Sequence, residues 1–169
     1  MKYNRFEELP VWQDAIELAV LIFDLTSRPM FKGYYTLKDQ LERAGVSVSN
    51  NIAEGFERGT TQETLNFLYI SRGSSGEVRS LSYLLERLRR FDSLKSEILD
   101  LRSRAGSISR QLHGWCGSLQ NTEIKGQRYL TDKSRRAAKQ AREREEFLKE
   151  LEEIRQRDNR LVSEVTFEI

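Results

Sequence analysis

No proline occurs between Met30 and Ile169, because both prolines of the chain, Pro10 and Pro29, fall near its start. Proline removes a backbone donor and clashes with the preceding helical turn, so nothing in that span is compelled to break a helix. Apolar residues recur there at helical spacing, and long helices are the expectation. The clearest case is Leu94, Ile98, Leu101, Ala105, Ile108, Leu112, Trp115 and Leu119, a seam of alternating four- and three-residue steps. Asp92, Glu97 and Asp100 near its beginning, and Arg104, Arg110 and His113 nearer its end, suit the dipole of such a helix.

Three further helices precede it. Pro10, a favoured first-turn residue, opens a helix to about Thr26 or Arg28. Its seam Val11, Ala15, Leu18, Ile22 and Leu25 runs beside a second one, Trp12, Ile16, Ala19 and Phe23, which predicts burial on two sides. Pro29 ends it, and Phe31 to Tyr35 forms a connection with an aromatic plug. Thr36, with Asp39 three residues on, is the expected cap of the second helix. Leu37, Leu41, Ala44, Val48 and Ile52 carry its period, and Gly55 or Arg58-Gly59 should stop it. Thr60 and Glu63 have the spacing of a capping box and start the third helix, with Leu65, Leu68, Val78, Leu81, Leu85 and Leu88 facing inward.

Within the third helix, Ser71 to Gly76 holds three serines and two glycines and reads locally as a loop. The step from Leu68 through Ser71 and Ser75 to Val78 keeps helical register, which favours an uninterrupted helix. Glycine then costs about 1 kcal/mol per residue relative to alanine, a cost that suggests close approach to the small face Ala44, Ser47 and Asn51 of the second helix. Four amphipathic helices with short connections give an all-α fold, an antiparallel four-helix bundle, over residues 1–120. A polar linker follows over 121–133, and a charged helical extension over 134–169. Ala137, Phe147, Leu151, Ile154, Leu161 and Val165 share one interrupted heptad lattice in that extension, the stripe of a weak coiled coil or a docked partner helix.

Composition narrows the function classes. No apolar stretch approaches the roughly 20 residues of a membrane span, and the first residues lack a signal peptide's apolar region. The lone Cys116 rules out an intramolecular disulfide framework, and a cytoplasmic location is expected. His113 and Cys116 are spaced to share a metal ion, yet no other histidine or cysteine exists to complete four ligands. No glycine-rich phosphate loop is present, no acid–base constellation assembles, and neither a cofactor nor an enzymatic activity is expected.

The formal net charge of +2 is too small to indicate a nucleic-acid partner, but its distribution is uneven. Basic residues gather at Arg87, Arg89 and Arg90, at Arg102, Arg104 and Arg110, and at Arg135, Arg136, Lys139 and Arg142. They are the candidate nucleic-acid contacts, against the alternative of solvated helix faces. Asn51, Glu54, Ser74 and Glu77 form either an interhelical polar network or a ligand site, and mutual satisfaction favours the network.

The segment Phe6 to Ala15, the block Gln40 to Gly55 and the turn Arg58 to Glu63 together resemble a bacterial four-helix family. Its members are the 23S rRNA intervening-sequence proteins and the accessory variability proteins of diversity-generating retroelements. The resemblance covers roughly residues 5–120. It implies a ring-like homo-oligomer, a homopentamer, without catalytic activity, and in retroelements a partnership with reverse transcriptase and structured RNA. Gly45 stands where the family commonly has alanine, and Glu42 where it commonly has a second basic residue. Three functions follow as expectations: an RNA-binding accessory of a reverse transcriptase, an intervening-sequence protein without a polymerase partner, or a scaffold. In the last, Phe147, Leu151, Ile154, Leu161 and Val165 would capture a partner.

Overall fold

The computed structural model describes residues 3–121 together with 140, 143–149 and 151–152. The chain divides into two compact units, Met1–Arg128 and Tyr129–Ile169. In the first, four helices enclose one core: α1 (Pro10–Thr26), α2 (Tyr35–Glu57), α3 (Thr61–Arg87) and α4 (Lys95–Gln120). The first helix packs on α2 and α4, and α3 packs on α2 and α4, so each helix has two neighbours. No strand forms among the described residues. Those of the second unit are helical and exposed, with Glu145 and Lys149 paired at 3.9 Å.

Leu18, Ile22, Leu41, Ile52, Leu68, Leu85, Ile98 and Ile108 are fully buried, so all four helices contribute to the centre of the core. The expected inner seam of α1 is buried throughout, whereas its second seam is graded. Ala19 is buried, Trp12 and Ile16 are half-buried, and Phe23 is exposed beside Val20. A helix flanked by two neighbours on one side cannot bury a face that turns away from both.

The aromatic plug forms as expected. Phe31 and Phe91 lie 4.8 Å apart, and Tyr34 meets Phe91 edge-on at 5.4 Å. These contacts also set where α2 begins, and they displace the expected Thr36 cap. Tyr34 occupies the cap position without a side-chain hydrogen bond, its carbonyl accepting from Lys38 N at 2.9 Å, while Thr36 lies inside the first turn. Gly33 (φ 90°) supplies the left-handed backbone that turns the chain into this helix. Asp39 instead pairs with Arg43 at 3.8 Å, one turn on.

The Thr60 cap is built as the sequence implies. Its hydroxyl accepts from Glu63 N at 3.2 Å and donates to the Glu63 carboxylate at 2.8 Å. From there α3 continues unbroken through Ser71 to Gly76. The close approach to α2 is made by the serines: Ser71 donates to the Val48 carbonyl at 2.8 Å, and Ser47 and Ser74 share a 2.8 Å hydrogen bond. Gly73 and Gly76 play no part in it, since a Cβ at either would meet nothing within 4 Å. The glycines that permit close packing lie in α2. A Cβ on Gly55 would stand 2.9 Å from Phe67 Cβ, and one on Gly45 would stand 2.6 Å from the Ile22 δ-methyl. Ile22 therefore occupies the space that a methyl group at position 45 would need. Glu42 accepts a hydrogen bond from buried Thr26 and pairs with Lys38 at 3.6 Å, joining α1 to α2.

Glycine-to-alanine substitutions should separate the two kinds of site. Gly55→Ala should destabilise by about 1–3 kcal/mol, the usual cost of overpacking, because Phe67 Cβ and the Thr64 carbonyl are too near the backbone to swing away. Gly114→Ala, on an open face of α4, should stabilise by up to about 1 kcal/mol. Urea unfolding of the two variants measures both signs.

Candidate nucleic-acid interface

Among the six arginines singled out in the first unit, four have partners within the chain. Arg90 donates through Nε to the Met30 carbonyl at 2.6 Å and through Nη2 to the Lys32 carbonyl at 3.3 Å, with its guanidinium 5.6 Å over Tyr34. It clamps the α1–α2 connection to the segment before α4. Arg102 bonds Glu86 at 2.5 Å and lies 4.3 Å over the Tyr83 ring. Arg104 bonds Asp100 at 2.8 Å; that carboxylate, with Glu17 and Asp14 in the field, raises its pKa further. Arg87 reaches the Tyr83 carbonyl at 3.1 Å. Arg87, Arg89 and Arg110 are exposed and form no ion pair with a described carboxylate. Arg135, Arg136, Lys139 and Arg142 lie outside the described residues.

Two further arginines, isolated in sequence, lie on α3, and one of them, Arg79, meets Arg110 in space. Arg72 and Arg79 stand two helical turns apart on α3, both exposed and without an ion pair among the described residues. A Cβ built on Gly106 of α4 would stand 3.5 Å from Arg110 Nη1 and 4.0 Å from Arg79 Nε, so the two guanidinium groups converge over that glycine. Burial pushes the Cys116 thiol of α4 up, and Arg72 opposes that electrostatically. Tyr83, with Arg102 stacked on it, and Tyr69, accepting from Gln120 Nε2 at 2.6 Å, flank these arginines along α3. Both tyrosines stay more than 40% exposed. Tyr69, Arg72, Gly76, Arg79 and Tyr83 thus share one face of α3 over about 21 Å, at 1.5 Å per residue. Clusters along the chain do not reveal this alignment, but the seven-residue step between Arg72 and Arg79, between tyrosines at helical spacing, is a signal for it.

The polar quartet divides. Asn51 donates to the Ser47 carbonyl at 2.7 Å and to its hydroxyl at 3.0 Å, and Ser47 bonds Ser74, giving a three-residue link between α2 and α3. Glu54 turns instead to Arg58 one turn on, and that guanidinium lies 4.6 Å over Phe67. Glu77 is exposed and lines, with Gln40, Arg43, Ala44 and Ser47, a shallow cleft of about 370 Å³. Cys116 points into the core and His113 to solvent, so helix geometry separates the pair that spacing made neighbours. No group of three or more metal-ligating side chains occurs among the described residues, and no described helix is long and apolar enough to cross a membrane. Phe147 and Leu151 are exposed, with Leu148 beside them, while Ile154, Leu161 and Val165 lie outside the described residues.

An all-helical unit whose α3 and α4 carry exposed arginines without ion pairs among the described residues is the class that fold and surface define. The chain belongs to the 23S rRNA-intervening sequence protein family, whose model matches residues 7–114, from the turn before α1 to within α4. Among solved structures it is similar to a protein of unknown function from the S23 ribosomal protein family of Bacteroides thetaiotaomicron VPI-5482. The two share 20% identity and a TM-score of 0.54, over 63% of this chain and 97% of that one. At that identity the likeness speaks to the fold. No curated protein matches the chain.

The two classes of arginine should separate on substitution. Arg90→Ala should lower stability by about 1 kcal/mol through its lost hydrogen bonds, whereas Arg89→Ala should leave the thermal midpoint unchanged. Differential scanning calorimetry of both variants checks the contrast.

Proposed function

We propose that this protein is a non-catalytic RNA-binding accessory protein, acting in the cytoplasm as an antiparallel four-helix bundle assembled into a ring-like homo-oligomer. The observation that supports this reading best is the α3–α4 groove. There Arg72, Arg79 and Arg110 stand between two exposed tyrosines with no ion pair among the described residues. Arginine's planar fork donates two hydrogen bonds to a phosphate at once, and exposed aromatic rings accept stacked bases irrespective of sequence. Backbone contacts of this type give affinity and register more than base specificity. The family's name supports RNA as the polymer. The resemblance to retroelement accessory proteins extends the reading to a reverse transcriptase as protein partner and to five subunits in the ring. Repetition of the groove around a ring converts weak sites into avidity.

A second reading rests on the second unit. Phe147, Leu148 and Leu151 stand exposed on a helical stretch, the anchors of a helix that docks on a partner. In this reading the ring is a platform.

Fluorescence anisotropy with a structured RNA at several salt concentrations tests the first reading. Binding should weaken steeply as salt rises; absent or salt-insensitive binding contradicts it. Removing residues 134–169 separates the two readings: retained RNA binding with loss of reverse-transcriptase capture assigns the extension to the protein partner. Light scattering of the full chain reads the ring, which requires a mass of several protomers.

A further inference from the structure

We propose that Arg79 and Arg110 form a clamp for a single phosphodiester phosphate, with Gly106 as its floor. This rests on the RNA-binding reading above and names the atoms that would read the backbone. The two guanidinium groups come from different helices and converge on one point, 3.5 and 4.0 Å from where a Gly106 Cβ would stand. Like charges so placed repel each other and are stabilised by an anion between them.

Among the described residues no acid supplies one. Glu86, the neighbouring acid on α3, is committed to Arg102, and Asp100 on α4 is committed to Arg104 on the helix edge that faces α1. Glu77 lines the cleft between α2 and α3. Gly106 adds access, since any larger residue would occupy the space above the helix backbone that a phosphate needs. Its replacement is sterically open, because both distances are ordinary van der Waals contacts. The geometry suits a tetrahedral anion with oxygens directed to both forks, the arrangement in which arginine binds phosphate most strongly. Arg72, two turns along α3, stands in line for a neighbouring phosphate of the same strand.

The test uses the full chain and four variants: Arg79→Gln, Arg110→Gln, the double variant, and Gly106→Asp. The last keeps both arginines and supplies a carboxylate between them. Arg43→Gln on α2 is the charge-matched control. The probe is a labelled RNA hairpin, titrated across salt concentrations, with inorganic phosphate tested separately by thermal shift; circular dichroism confirms that each variant is folded.

The double variant should lose at least tenfold in affinity, and its log–log salt slope should fall by about 1, as for one phosphate. Gly106→Asp should match that loss without a lower thermal midpoint, and Arg43→Gln should stay within twofold of the parent. If the parent binds RNA with a steep salt dependence and the double and Gly106→Asp variants bind equally well, the clamp is wrong and the RNA reading stands. If the parent binds no RNA, both fall. Stabilisation of the parent by phosphate, without RNA binding, reassigns the groove to a free anion and overturns the phosphodiester clamp.

Discussion

Ser71 donates from the middle of α3 to the Val48 carbonyl in the middle of α2, at 2.8 Å, and the other features of the bundle depend on the approach this bond requires. A hydroxyl reaches a neighbouring helix backbone only where both surfaces are small. Ser47, Ser74, Ala44 and Gly55 provide that, and Gly55 admits Phe67 against α2 with no room for a methyl group. The serines buried along α3 are otherwise satisfied within the helix, Ser75 on the Ser71 carbonyl at 3.1 Å and Ser82 on the Val78 carbonyl at 2.8 Å. The burial of so much polarity therefore leaves no donor stranded among the described residues.

The same seam fixes the surface chemistry on the far side of α3. With α3 continuous through its serine- and glycine-rich middle, Arg72 and Arg79 fall on one face, between Tyr69 and Tyr83. A loop at Ser71 to Gly76 would break that alignment. Its register against α4 then brings Arg79 and Arg110 together over Gly106. A packing constraint on one side thus becomes an electrostatic feature on the other. Acidic partners neutralise Arg102 and Arg104, whereas this pair has none among the described residues.

Much of this was legible in the chain because it is local. The Pro10 start, the Thr60–Glu63 cap and the seam of α4 each rest on residues within a turn or two of one another, where propensity and period are informative. The start of α2 was not legible, because packing of Tyr34 on Phe91, far along the chain, overrides the capping signal at Thr36. The fate of Arg90 had the same obstacle: its partners Met30 and Lys32 belong to a distant connection. The polar quartet was half legible, since Asn51 and Ser74 meet only through Ser47 and Glu54 turns back on its own helix. The groove was least legible, because sequence clustering favours arginines that are adjacent in the chain. Arg72, Arg79 and Arg110 are adjacent only after two helices have been registered against each other.

Amide hydrogen exchange across α3 tests the central claim most directly, because an unbroken helix protects every interior amide while a loop does not. The account predicts that the amides of residues 73–76 exchange as slowly as those of the flanking turns around Leu68 and Leu81. Fast exchange confined to 73–76, with protection on either side, would show a break in α3 and remove the basis for aligning Arg72 with Arg79.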